Sequence, residues 1–508
     1  MLADSRLGRL IDPLEGRAWE PEELLAWCRR RMALFAGLGL RRHDRVFLHY
    51  GNRPEFFGDL LAIWSLGACA VPIDARLTTF EVAPLARSAR PRLSLFEEPP
   101  AEDLLRALAS LDVESARLGD EAKRSESPAP PGRSSLDDDA LILFTSGTTG
   151  QPKGVVHTHR SLRARWMSLR QCLGLTSFRR TLCLLPTHFG HGLICNSLFP
   201  WLFGQDLYVL PPFRPDLVAR LGPLLDEHGI TFLSSVPSLW RLALKTARPP
   251  ARGTLERVFC GSAPLSASLW RSIREWTGAR EVLNAYGITE TASWLAGTTA
   301  AAPVEPEDGL VGEAWGGVIR IAKSRETGVH PADLEACEPG ESGYVWVNTP
   351  ALMRGYLDRE DLTDAVVSHG WFVTGDIGLL DDRGRLVLRG REREEINKGG
   401  MKVYPADIDS VAERFPGTRD VCTFAYDDPL HGEDVGIAVV LEDPSDAALQ
   451  RLQEFCAQHL ARHQLPQRWY VLAEIPRSSR GKVNREAVAK RCAGLAQARA
   501  LPRRIGVA

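Results

Sequence analysis

Between residues 45 and 73 the chain reads strand, helix, strand. RVFLHY (45–50) is a short apolar run, PEFFGDLLAIWSLG (54–67) carries its apolar residues at helical spacing, and ACAVPI (68–73) is a second apolar run. Strand–helix alternation of this kind implies a parallel sheet covered by helices. The alternation extends over residues 22–118. It resumes from 140 to about 330, where LILF, TLCLLP, DLYVLP, ITFLSS and RVFCG are strand-like. Residues 343–390 look richer in β-structure, and about 395–508 reads as a smaller α/β unit with an Arg/Ala-rich tail. The polar stretch GDEAKRSESPAPPGRSSLDDD (119–139) reads as a surface loop.

Composition removes several function classes. The formal net charge of -2 gives no basic surface for nucleic acid. Hydrophobic residues make up 44% of the 508, enough for large cores and too many for a disordered chain. The ten cysteines form no C-x-x-C pair, which excludes the zinc and thioredoxin patterns, and they are too sparse for a disulfide scaffold. Reduced thiols, together with an N-terminus (MLADSRLGRLIDPLEG) that has no signal-peptide apolar core, predict a cytoplasmic protein. The longest apolar run, about Leu60–Ile73, is broken by Gly67 and Pro72. It is too short to span a bilayer and reads as core.

LILFTSGTTGQPKG (141–154) carries the chemistry. An apolar strand runs straight into Thr145, Ser146, Gly147, Thr148, Thr149 and Gly150, with Lys153 close behind. Glycines let backbone N–H groups approach phosphate oxygens, and hydroxyls and a lysine add donors. The order is not that of a Walker loop, because Lys153 precedes Gly154 and no Ser or Thr follows it. No G-x-G-x-x-G fingerprint occurs either. A bare Ser/Gly/Thr tract is usually just a turn, but ten residues in order carry more. This segment resembles the phosphate loop of the adenylate-forming superfamily of acyl-CoA synthetases, peptide-synthetase adenylation domains and luciferases.

That resemblance covers essentially the whole chain, RVFLHYGNRPEFFGDLLAIWSLGACAVPIDARLT (45–78) included, and the remaining motifs occur in family order. CGSAPLS (260–266) is similar to the loop beneath adenine, with Gly261, Ser262 and Ala263. NAYGITETA (284–292) is similar to the nucleotide motif. It implies Asn284 at the adenine amino edge, Ala285 and Gly287 lining the site, Tyr286 stacked on the base, Thr289 at the α-phosphate and Glu290 holding Mg²⁺. One carboxylate suffices for that ion, which takes most of its other ligands from phosphate and water. WFVTGDIG (371–378) implies that Asp376 accepts the ribose hydroxyls. GREREEINKGGMKVYPADID (390–409) implies a ribose contact from Arg391 and a hinge at Arg393, where the family usually has Lys or Asp. IPRSSRGKVNREAV (475–488) implies that Lys482 bridges the carboxylate and the α-phosphate as the two anions meet. Each alone has a plain reading: a turn at Asp376, a solvated charged face at REREE, a surface lysine at 482. Four of the eight lysines (Lys153, Lys398, Lys402, Lys482) lie in these motifs.

The implied fold is α/β. A large N-terminal domain (1–390) has two stacked α/β sheet subdomains plus a small β-rich subdomain. A hinge (391–394) joins it to a small mobile α+β C-terminal domain (395–508) carrying Lys482. The implied reaction consumes ATP with Mg²⁺, forms acyl-AMP and passes the acyl group to a thiol. NKGGMKVYP resembles the pantetheine channel of acyl-CoA synthetases (Lys398, Gly399, Gly400, Lys402) and favours coenzyme A. A holo acyl-carrier protein is the alternative, since NAYG is common in adenylation domains, and a catalytically dead scaffold is a remote one. PTHFGHGL (186–193) aligns with the acyl pocket. It has His188, Phe189 and His191 but no Asp for an α-ammonium, which disfavours amino acids; Val236, Ser262, Ala285 and Trp294 are the other expected wall residues. Trp294 either narrows the tunnel or is packed core. A metal role for His157, His159, His188 and His191 is disfavoured, because the spacing is not that of a helical pair. The expected partners are a small carboxylic acid, ATP and CoA, in a monomer or homodimer.

Overall fold

The computed structural model describes residues 6–120, 134–145, 152–212, 214–298, 304–399, 401–429, 431–477 and 483–495. The expected opening unit is present as strand Arg45–His49, helix Pro54–Ser65 and strand Cys69–Pro72. The two strands are parallel, with Arg45 opposite Cys69. Pro54 starts the helix, where its missing N–H costs nothing. Every residue from Phe56 to Trp64 is buried. A helix apolar on all sides must be covered on all sides. This one touches Cys69–Pro72 in one sheet and Leu10–Asp12 in another, so it lies between two layers. Its one buried charge, Asp59, receives bonds from Arg31 (2.7 Å to each oxygen), Tyr50 (2.7 Å) and Trp27 (3.1 Å).

Among the described residues the strands form three sheets. The first has seven strands and a parallel centre. At one side its order runs Cys69–Pro72, Asp139–Thr145, Lys153–Thr158, Gly355–Tyr356, and the last two strands are antiparallel to their neighbours. The second has fourteen. Its parallel run includes Leu10–Asp12, Asp206–Val209, Arg180–Cys183, Phe232–Ser235, Arg257–Gly261 and Glu281–Ile288. Antiparallel strands then continue the same path through Ser293–Gly297, Leu310–Ala314, Leu386–Arg391 and Trp371–Leu380. Trp371–Leu380 and Leu386–Arg391, with Gly343–Asn348 paired to the former, fall in the β-rich stretch 343–390 and continue the same sheet.

The third sheet has five strands: Ile396–Lys398, Met401–Val403, Gly432–Leu441, Thr418–Asp428 and Arg468–Val471. Helices Pro405–Glu413, Asp446–His459 and Arg485–Ala493 cover it. Arg391 ends the second sheet, a 3-10 turn spans Glu392–Glu394, and Ile396 begins the third sheet. Ion pairs tie the small unit to the large one. Arg241, on helix Pro237–Thr246, pairs with Glu413, and Arg325 pairs with Glu392 of the turn. No helix among the described residues is long and apolar enough to cross a membrane.

Candidate active site

Strands Asp139–Thr145 and Lys153–Thr158 pair antiparallel, with Thr145 opposite Lys153. The glycine-rich segment therefore joins a hairpin and does not lead a strand into a helix, which separates it physically from a Walker loop. Ser146, Gly147, Thr148 and Thr149 lie outside the described residues. The Thr145 hydroxyl is 3.5 Å from the Lys153 carbonyl. Lys153 Nζ lies 5.2 Å from the centre of the Tyr356 ring. The Tyr356 hydroxyl donates to Glu290 Oε1 at 2.7 Å. Burial and the Glu290 charge push the pKa of that phenol up, so it stays a donor. Glu290 is half-buried, and its other oxygen receives no hydrogen bond among the described residues. The sequence reading missed Tyr356. It sits in a two-residue strand in MRGYLDR that pairs with Lys153–Thr158, and only that pairing brings it to Glu290.

Thr289 is positioned from behind. Its carbonyl oxygen accepts from His157 Nε2 at 2.7 Å, and His157 Nδ1 is 3.2 Å from the Ser161 hydroxyl. Complete burial pushes the His157 pKa down to about 4, so the ring is neutral and donates from Nε2. His157 is thus a support for the Thr289 backbone. Among the described residues one grouping of three His, Cys, Asp or Glu ligand atoms occurs, at Asp428, His431 and Asp434. There Lys398 already pairs with Asp434 at 2.6 Å.

Strand Glu281–Ile288 carries Asn284, Ala285, Tyr286 and Gly287. Ala285 lies opposite Gly261, at the end of the neighbouring strand. A Cβ at Gly261 would come within 2.2 Å of the Ala285 carbonyl oxygen, so only glycine allows this approach. Asn284 donates from Nδ2 to the Leu310 carbonyl at 2.7 Å, leaving its own oxygen for a ligand. The Tyr286 hydroxyl donates to Asp376, and Arg391 Nε is 2.9 Å from the other Asp376 oxygen. Burial, then the Asp376 charge, push the Tyr286 pKa up, and Asp376 raises that of Arg391. Asp376 is 4% exposed. A carboxylate has about four acceptor positions, so two remain after these contacts.

Ser262 and Ala263, just past Gly261, are half-buried. His191 begins a π-helical turn, His191–Leu198, and lies between two hydroxyls: Nδ1 is 2.7 Å from Ser262 Oγ and Nε2 is 2.6 Å from Ser234 Oγ. Its ring meets Trp294 edge-on at 5.7 Å. Phe189 lies 6.3 Å from His191, and His188 Nε2 is 3.5 Å from Asp74. Val236 is buried beside Ser234 and Ser235. Trp294 is 2% exposed and packed against Phe259 (4.7 Å) and Phe232 (5.9 Å), so it is a wall built into the core.

In the small unit, Arg393 is exposed in the turn. Lys398 is buried in its pair with Asp434, Lys402 is largely exposed 3.4 Å from Glu395, and Gly399 N–H donates to the His431 carbonyl. Gly400 and Lys482 lie outside the described residues.

Residues 11–357 match the family described as AMP-binding enzyme, and residues 407–482 match the AMP-binding enzyme C-terminal domain. The chain is 29% identical over 492 residues to the long-chain-fatty-acid–CoA ligase FadD13 of Mycobacterium tuberculosis, covering 94% of each. It superposes on ATP-bound MatB from Rhodopseudomonas palustris with a TM-score of 0.86 at 25% identity, over 97% of both chains. It also superposes on the o-succinylbenzoate CoA synthetase MenE of Bacillus subtilis in complex with the acyl-adenylate OSB-AMP, with a TM-score of 0.83 at 26% identity over 96% of both. The chain belongs to the AMP-binding enzyme family. Within it, the enzyme class is that of the AMP-forming acid–thiol ligases, acyl-CoA synthetase-like.

Proposed function

We propose that the chain turns a carboxylic acid, ATP and coenzyme A into an acyl-CoA, AMP and pyrophosphate at the site just described. A carboxylate oxygen attacks the α-phosphorus, the bond to the bridging oxygen of the β-phosphate breaks, and pyrophosphate leaves. The thiol then loses its proton, its sulfur attacks the acyl carbonyl, and AMP leaves. One observation carries the reading. The Tyr286–Glu290 segment joins two charged clusters, Tyr286 with Asp376 and Arg391 at one end and Glu290 with Tyr356 and Lys153 at the other. The first suits a ribose and the second a triphosphate.

Asp376 accepts the ribose hydroxyls through its remaining acceptor positions, held by Tyr286 and Arg391. Asn284 reads the adenine edge with its free oxygen, and Gly261–Ala263 and Ala285 line the base. Thr145–Lys153 holds the phosphates, and Thr289, fixed by His157, meets the α-phosphate. The open oxygen of Glu290 fits a hard cation, so Glu290 would hold Mg²⁺. When bound, that ion neutralises phosphate charge.

Lys482 bridges the two anions in the first half-reaction. The small unit turns about 391–394 between the halves and brings Lys398–Lys402 to the thiol. The superposition on ATP-bound MatB over 97% of both chains supports the present pose as the ATP-binding one. Ten free thiols support work in a reducing cytoplasm. The relatives' names span a long-chain fatty acid and 2-succinylbenzoate, so the acid is argued from this chain's own pocket.

The test is Lys482→Ala, with the two half-reactions measured separately. Pyrophosphate release should fall by about 100-fold or more, the scale of losing one transition-state donor. Thioester formation from supplied acyl-AMP and CoA should stay within a few-fold. Equal losses in both would refute the division.

A further inference from the structure

We propose that the acid is compact and carries a second hydrogen-bonding oxygen, read by a Ser234–His191–Ser262 relay and bounded by Trp294. This rests on the acid-activation reading and on these residues lining its acyl site.

The relay is complete on its inner side. His191 is 4% exposed and Ser234 0%, and both ring nitrogens have a hydroxyl within 2.7 Å. A serine donates or accepts, so either imidazole tautomer is satisfied. Ser262 is the only one of the three that is not buried. A hydroxyl has one donor and two acceptor positions, and the contact with His191 uses one of them. The open end of the relay is therefore Ser262 Oγ, one residue past Gly261, which pairs with Ala285. Ser262 also holds a left-handed backbone, φ 65°, which a non-glycine residue keeps only where its surroundings fix it.

Such a wall suits a polar ligand. A plain alkyl chain laid along it would cover a hydroxyl and give nothing back, at about 1–3 kcal/mol for each polar group left unpaired. Small-molecule sites obtain specificity from a few polar groups placed in this way. Depth is limited too. Behind His191, Trp294 packs on Phe259 and Phe232, and Phe259 stacks on Trp315 at 5.4 Å. All four aromatic side chains are at most 2% exposed. A long acyl chain would have to displace a close-packed aromatic cluster, and such interiors do not yield freely. Ser234 is the specificity residue that no motif announced. It lies two residues before Val236 on a buried strand, and only its contact with His191 gives it a role.

The test is pyrophosphate release, with CoA thioester formation alongside, over matched acids: butyrate, 3-hydroxybutyrate, malonate, succinate, benzoate, octanoate and palmitate. The wild-type protein should use its best compact oxygenated acid at least tenfold better, in kcat/KM, than butyrate or palmitate. Ser262→Ala should lower kcat/KM more for the oxygenated acids than for the plain ones, and so shrink that ratio, and Trp294→Ala should shift the preference to longer chains. Wild-type activity on palmitate equal to that on every compact acid would overturn the inference and leave acid activation standing. So would a polar-to-plain ratio unmoved by Ser262→Ala. Absence of pyrophosphate release with every acid would instead overturn the acid-activation reading beneath it.

Discussion

The Arg241–Glu413 pair allows a direct measurement of what holds the two units in the present pose. Arg241 belongs to the large unit and Glu413 to the first helix of the small one. Their side chains are 23% and 18% exposed. Surface pairs contribute about 0.2–1 kcal/mol, and breaking a fully buried pair costs about 3–5 kcal/mol. A pair four-fifths covered falls between, so the coupling should be about 1–2 kcal/mol. At about 1.4 kcal/mol per tenfold, that shifts the docked population by about 5- to 30-fold. Arg241→Ala should slow acyl-AMP formation by that factor in single turnover and leave thioester formation from supplied acyl-AMP unchanged or faster. Glu413→Ala should do the same, and the double variant should be no slower than either single one, which is how a cycle isolates a pairwise term. Salt should narrow the gap between wild type and variants, since it screens the partly exposed charges. Additive losses in the double variant, or equal slowing of both half-reactions, would refute the latch.

Two further outcomes concern stability. Asp59→Ala removes the carboxylate that Arg31 pairs with where both side chains are fully covered, and should cost about 3–5 kcal/mol in a denaturant or thermal melt of the large unit. His49, His157 and His159 are held neutral by burial, with pKa values pushed down to about 3, 4 and 4. The unfolded chain binds protons on these rings below about pH 6.5, and the folded chain does not until pH 4 or lower. Their contribution is therefore whole above pH 6.5 and is lost as the pH falls towards 4, by up to about 1.4 kcal/mol per pH unit for each ring. Melts across pH 7 to 4 check this; a stability flat over that range would contradict it.

Local chemistry was legible in the sequence wherever it depended on consecutive residues. Glycine–hydroxyl–lysine order at 145–154, the run from Asn284 to Thr291, and apolar strands and helices at their own periods are all local patterns. Strand Arg257–Gly261 begins and ends where RVFCG does. The tertiary structure alone decided contacts between residues far apart in the chain. Tyr356 reaches Glu290 across 66 positions, Tyr286 reaches Asp376 across 90, and His157 supports Thr289 across 132. Trp294 was open between tunnel and core from the sequence, because a tryptophan in a strand looks the same in either. Its packing against Phe232 and Phe259 made it a core wall. Ser234 likewise carried no signal, since a buried serine acquires a role only from what folds against it. Periodicity and motif order act along the chain, whereas pairing and burial depend on which distant segments share a face.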